Sequence, residues 1–209
     1  MVLTYYGKAC VKVSQGDTTI AFNPSAKSGS DKYPRFGTDV VLISRRDPAY
    51  SAAENMAFGE KAPFVIDGPG EYEVGGIFIK GFGVEKDGVH NVVYSLVLDD
   101  VRLCHLGGLQ SNTLPGEVIE AIGEIDLLFV PVWNGDVIAP AEAYKLASSL
   151  EPKLIVPLHN SETGKESALA TFLKEAGEEG AEFADKLTLK RKDLDGKEGD
   201  IVLLASALE

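Results

Sequence analysis

The feature that most constrains the fold of this chain is a change of rhythm along it. Up to "VRLCHLGG" the sequence is a succession of short β-branched or aromatic runs broken by glycine and proline; beyond it, apolar strands alternate with helically spaced segments. "VLTYYG" and "CVKVS" are punctuated by Gly7, and "DTTIAFNP" is ended by Pro24, a pattern that fits successive antiparallel strands. A loop, "SAKSGSDKYPRFGT", leads to "DVVLIS", a continuous apolar run expected to be covered on both faces. "AYSAAENMAFGE" is alanine-rich enough for a short helix ended by Gly59. "PFVID", "GPGEYEVGG", "IFIKGFGV", "NVVYSLVLDD" and "VRLCHLGG" read as a second set of strands joined by tight turns, with "LDDVRL" a hairpin.

Beyond the change, "TLPGEVIEAIG" and "APAEAYKLASSLEP" carry helical spacing, with proline near each start and Gly123 or Pro152 near each end. The strands "IDLLFVPV" and "KLIVPLH", the amphipathic helix "SALATFLKEAG" and the strands "KLTLKR" and "DIVLLAS" complete the order. Such an order calls for sheets packed together with helices outside. With no internal repeat and no long linker, the expectation is one layered α+β domain over residues 1–209.

Composition narrows the functional classes. Hydrophobic residues at 44% and charged residues at 25% are those of an ordinary globular protein. No apolar run reaches the ~20 residues that cross a bilayer and no signal-type segment opens the chain, so the expectation is a soluble cytoplasmic protein with no membrane partner. The net charge of -12 repels polyphosphate, which argues against nucleic acid as a partner. Cys10 and Cys104 each sit in an apolar run and are expected to be buried thiols, not a disulfide.

The usual catalytic signatures are missing. There is no G-x-S-x-G elbow, no phosphate loop and no C-x-x-C pair, and "GPGEYE" lacks both the third glycine and the following helix of a dinucleotide loop. Glu71 and Glu73 share a strand face and read as turn and sheet residues, while Trp133 reads as a packing residue beside the inferred site. Of the three histidines, His90 is expected in an exposed turn and His105 as a hydrogen-bonded structural residue. His159 ends a strand at the C-terminal edge, where open α/β sheets gather their ligands.

Laid end to end, "LTYYGKAC", "IAFNP", "DVVLIS", "VIDGPGEYEVGG", "RLCHLGG", "DLLFVPV" and "EPKLIVPLH" resemble the metallo-β-lactamase superfamily, in its branch of small proteins regarded as candidate zinc-dependent hydrolases. The resemblance implies a four-layer αββα sandwich. In that family the strand matching "DVVLIS" leads into an H-x-H-x-D-H signature that holds one or two metals, and here those positions read Arg45, Asp47, Ala49 and Tyr50. The family's "GHAC" reads "GKAC", with Lys8 in place of histidine; its "IDP" has become Asn23-Pro24; and the bridging aspartate of "HLGDLG" is Gly108. Only His159 matches its expected ligand position.

Arginine has no lone pair to offer, alanine and glycine offer none, and protonated tyrosine is a poor ligand. The expectation is therefore a superfamily member with a lost metal centre and no cofactor, in which Lys8 and Arg45 supply fixed positive charge and pair with Asp47. Such a network either only braces the loops or forms a pocket, from Lys8, Asn23, Arg45, Asp47, Tyr50, Gly108 and His159, that holds a small anion. The alternative is a metal-dependent hydrolase of esters, amides or phosphodiesters that holds zinc in a rearranged site built from Asp47, His105, His159 and a further carboxylate. A protein partner or a homo-oligomeric role is the third expectation.

Overall fold

The computed structural model describes residues 1–29, 32–60, 62–159 and 167–208; Ser30 and Asp31 of the long loop lie outside them. Five strands form most of the first sheet: β1 (Val2–Tyr5), β2 (Val11–Gln15), β3 (Thr18–Phe22), β4 (Val40–Leu42) and β5 (Phe64–Ile66). The second is built from β6 (Gly70–Val74), β7 (Ile77–Lys86), β8 (Val89–Leu98), β9 (Val101–His105), β10 (Leu127–Val132) and β11 (Leu154–His159). Three helices, α1 (Gly116–Ile122), α2 (Pro140–Ser149) and α3 (Ala168–Ala176), separate and follow the later strands. The short strands β12 (Phe183–Ala184), β13 (Leu187–Thr188), β14 (Asp200–Ile201) and β15 (Leu203–Leu204) come last.

The strand orders are β13-β1-β2-β3-β4-β5 and β14-β11-β10-β9-β8-β7-β6, with β12 and β15 paired separately. Both sheets are mixed. The β1–β2 and β2–β3 pairs are antiparallel, whereas β3, β4 and β5 run parallel. In the second sheet β6 to β9 form successive hairpins and β9, β10 and β11 run parallel. At the β8–β9 turn both Asp99 and Asp100 have positive φ, as a two-residue turn between right-twisted strands requires, so "LDDVRL" is the hairpin its sequence suggests.

Side-chain alternation assigns the layers. Leu127 and Phe129 of β10 face the inter-sheet core with Leu3, Tyr5, Ile20, Phe22 and Leu42. Leu128, Val130 and Val132 face the other way, onto Val118, Ile122, Leu146 and Phe172 of the three helices. The second sheet is thus apolar on both faces.

The outer layer over the first sheet is thinner than expected. The segment "AYSAAENMAFGE" forms only a single 3-10 turn, Ala53–Met56, whose Met56 packs on Ala21, Val41 and Ile43. Its buried face holds too few apolar side chains for a longer helix, since tertiary packing and not alanine content stabilises short helices. Cys10 and Cys104 are buried free thiols, both pushed up from their ordinary pKa by burial. No helix among the described residues is long and apolar enough to cross a membrane.

Candidate functional site

The candidate site lies where the co-directional strands of both sheets end. In the first sheet Lys8 follows β1, Asn23 follows β3 and residues 45–50 follow β4; in the second, Gly107 and Gly108 follow β9, Asp136 follows β10 and His159 ends β11. Backbone hydrogen bonds tie the sheets there. The Lys8 N–H donates to the His159 carbonyl at 2.9 Å, and the Val92 N–H donates to the Ser44 carbonyl at 2.9 Å. The buried Tyr5 hydroxyl accepts from the His159 N–H at 2.7 Å and lies against the carbonyl oxygens of Lys8 and His159. Tyr5 thus fixes both the lysine turn and the histidine.

Arg45 occupies the centre. Its Nη1 donates to Asp136 Oδ2 at 2.7 Å and to the Asp136 carbonyl at 3.1 Å, and its guanidinium lies 4.9 Å from the centre of the Tyr50 ring. Trp133 Nε1 reaches the other Asp136 carboxylate oxygen at 3.4 Å, and Gln110 donates to the Asp136 carbonyl at 3.0 Å. Burial raises the Tyr50 phenol above its ordinary pKa, and the neighbouring Arg45 only partly offsets this, so the ring stays protonated. The consequence for Gly108 is steric. A Cβ there would come within 2.5 Å of Tyr50 Oη and 2.7 Å of Arg45 Cδ.

The expected pairing of Lys8 and Arg45 with Asp47 is not what the structure shows. Asp47 Oδ1 accepts from the Ala49 N–H at 2.8 Å, a local turn that bends the carboxylate back to its own backbone. Arg45 therefore pairs with Asp136, and among the described residues Lys8 makes no ion pair. Asn23 is fully buried with φ +46°; its Oδ1 accepts from the Ser44 N–H at 2.7 Å, and its Nδ2 has no partner within hydrogen-bond distance.

The rearranged set of Asp47, His105 and His159 is not assembled either. His105 is buried and stacked 4.8 Å from the Phe22 ring. One ring nitrogen accepts from the Gly107 N–H at 2.9 Å and the other lies 3.1 Å from the Ala9 carbonyl. Burial pushes its pKa down to about 3, which keeps the ring neutral. His159 is also buried, with Nε2 3.1 Å from the Leu204 carbonyl. His90 is the second residue of β8, exposed and 3.4 Å from Glu85, where the sequence suggested a turn. Among the described residues no three His, Cys, Asp or Glu side chains converge on one point.

Beside the Arg45 junction opens a cleft of about 660 Å³ lined by Lys8, Lys27, Lys32, Asp47, Ala49 and His159. Sequence reasoning missed Asp136, Lys27 and Lys32. The lysines were legible as charge in the loop "SAKSGSDKYPRFGT", but their convergence on Lys8 depends on the fold. Of the positions that the resemblance assigns to metal ligands, Arg45 and Lys8 are themselves cations, Ala49 and Gly108 have no side-chain donor, Tyr50 is protonated and Asn23 Oδ1 already accepts from Ser44, which leaves Asp47 and His159 as the side chains with ligand chemistry.

A family model for the beta-lactamase superfamily domain matches residues 2–159. The chain belongs to the metallo-β-lactamase superfamily. A crystal structure of a Thermotoga maritima protein, described as a candidate Zn-dependent hydrolase of the metallo-β-lactamase superfamily, is 31% identical, covers 97% of each chain and superposes with a TM-score of 0.73. A UPF0173 metal-dependent hydrolase of Natranaerobius thermophilus is 28% identical over 192 residues, covering 76% of this chain and 83% of the relative. A UPF0173 protein of Pyrococcus abyssi is 22% identical over 189 residues, covering 80% of this chain and 87% of the relative. The chain thus matches superfamily proteins named as metal-dependent hydrolases over most of its length and of theirs.

Proposed function

We propose that this superfamily member binds a small anion in the lysine-lined cleft without a metal ion and without turning the ligand over. The observation that carries the reading is the packing of Arg45 and Tyr50 over Gly108. A carboxylate at position 108 would need the space those side chains fill, and a second cation beside the guanidinium would meet direct repulsion. Arg45, paired with Asp136, fills the junction, and Lys8, Lys27 and Lys32 leave the neighbouring cleft positive. The test is calorimetric titration with a panel of small carboxylates, sulfates and phosphates, with and without a chelator. Saturable binding unchanged by the chelator supports the reading; anion binding that requires added zinc contradicts it.

A second reading is metal-dependent hydrolysis of an ester, amide or phosphodiester, favoured by the names of the relatives. In that case His159 and Asp47 would be the first residues to hold the ion. Metal-dependent turnover of an ester and phosphodiester panel, lost in His159→Ala, is its expected signature.

A further inference from the structure

From the make-up of the cleft we infer that the anion is the dianionic phosphate of a small phosphate monoester; this rests on the anion-binding reading above. Among the described residues, the cations that line the cleft are Lys8, Lys27 and Lys32, set against the carboxylate of Asp47. The two nearby arginines are engaged elsewhere, Arg45 with Asp136 at 2.7 Å and Arg46 with Asp67 at 3.2 Å. Lysine is a compact point charge with three rotatable donors, suited to a tetrahedral group, whereas arginine's planar fork is what best matches a planar carboxylate.

The charge count points the same way. Three lysines against one aspartate leave about two positive charges, which match the charge of roughly -1.5 to -2 on a phosphate monoester near pH 7. This surplus stands out in a chain with 32 acidic and 20 basic residues. Lys80, Lys145, Lys153 and Lys197 each find a carboxylate within 3.2 Å, yet among the described residues the three cleft lysines form no ion pair.

Lys8 is also held at φ +47°, a conformation that favours glycine or asparagine, on a turn bonded to the end of β11. The turn therefore presents an ammonium where a smaller residue would suit the backbone better. A volume of about 660 Å³ exceeds what bare phosphate fills and leaves room for an organic body.

The experiment is calorimetric titration of the intact protein at low ionic strength with phenyl phosphate, phenyl sulfate and benzoate. Phenyl phosphate is expected to bind at least about fivefold more tightly than either monoanion, with its advantage shrinking as pH falls below the second phosphate pKa of about 6. Lys8→Gly, which suits the backbone at that position, and Lys27→Ser and Lys32→Ser are each expected to weaken phenyl phosphate binding by about threefold to tenfold. Circular dichroism and melting of each variant verify the fold.

Phenyl sulfate binding as tightly as phenyl phosphate overturns the inference, as does unchanged affinity in all three variants. Lysine-dependent binding that favours benzoate removes the phosphate assignment while leaving the anion-binding reading intact. If inorganic phosphate, phenyl phosphate, AMP, phenyl sulfate and benzoate all bind more weakly than about 10 mM, both fall.

Discussion

At the N-terminal ends of β9, β10 and β11 a buried carboxylate is saturated with partners; beside the C-terminal end of β11 a cleft holds lysines that form no ion pair among the described residues. Asp126, just before β10, accepts from the Arg102 N–H at 2.9 Å, from Arg191 at 2.6 Å and from Lys153 at 2.8 Å. Its burial alone would raise its pKa, but the donors from Lys153, Arg102 and Arg191 outweigh that and hold it below the usual carboxylate range. Across the sheet, Arg45 has Asp136, while Lys8, Lys27 and Lys32 line open space. One end of the strands uses charge to lock the connections between elements, and the other keeps charge available. That contrast sets an ion cluster that locks connections at one end of the sandwich against lysines that form no ion pair among the described residues at the other.

The largest expected effect lies at the locked end. Asp126→Ala should destabilise the fold by about 3 kcal/mol, because it strips the acceptor from two cations and a backbone N–H at once. Urea unfolding measures it, and a loss below about 0.5 kcal/mol would put Asp126 in the class of an ordinary surface pair. The pH dependence has a fixed sign. A depressed carboxyl stabilises the fold above its unfolded pKa of about 3.9 and loses that contribution as pH falls through the lower folded value, so the Asp126→Ala penalty should shrink in strong acid.

At the open end, Gly108→Asp should cost about 1–3 kcal/mol, since its Cβ meets Tyr50 Oη and Arg45 Cδ. Adding Arg45→His and Tyr50→His should recover part of that loss, giving a non-additive cycle. Strict additivity would mean that the space above Gly108 is not filled as described.

His105, on the same strand as this junction, predicts a smaller effect spread over pH. Its pKa is lowered from about 6.5 in the unfolded chain to about 3 by burial. The stability it contributes is present above about pH 6.5 and drains away as pH falls toward 3, because only the unfolded chain takes up the proton over that range. In His105→Gln, denaturation midpoints should therefore change less between pH 7 and pH 5 than in the parent. An equal acid response in both proteins would show that the ring titrates freely in the fold.

Much of this contrast was legible in the sequence. The strand runs, the Asp99-Asp100 hairpin and the change from β repetition to alternation carried the sandwich, because period-2 burial and turn chemistry are local properties. The substituted positions Arg45, Tyr50 and Gly108 could be identified one by one. Their partners could not. Asp136 lies 91 residues from Arg45, and Lys27 and Lys32 meet Lys8 only because β1 and β3 point the same way in the sheet. The helix expected after Arg45 shrank to one turn for a related reason, since local alanine content says nothing about how much apolar surface the first sheet offers it.

The smallest expected change in stability is that of Arg45→Ala, about 1 kcal/mol, because Asp136 remains largely exposed and solvent screens the pair. Differential scanning calorimetry resolves it, and a cost near that of Asp126→Ala would erase the distinction between the two ends of the strands.

The most direct test of the central claim, that protein cations stand where the superfamily resemblance puts metal ligands, is elemental analysis of protein expressed in zinc-supplemented medium and purified without chelator. The account predicts zinc, iron and manganese each below about 0.1 equivalent per chain after gel filtration. About one equivalent of any of them, retained through dialysis in the parent and missing from His159→Ala, would contradict it.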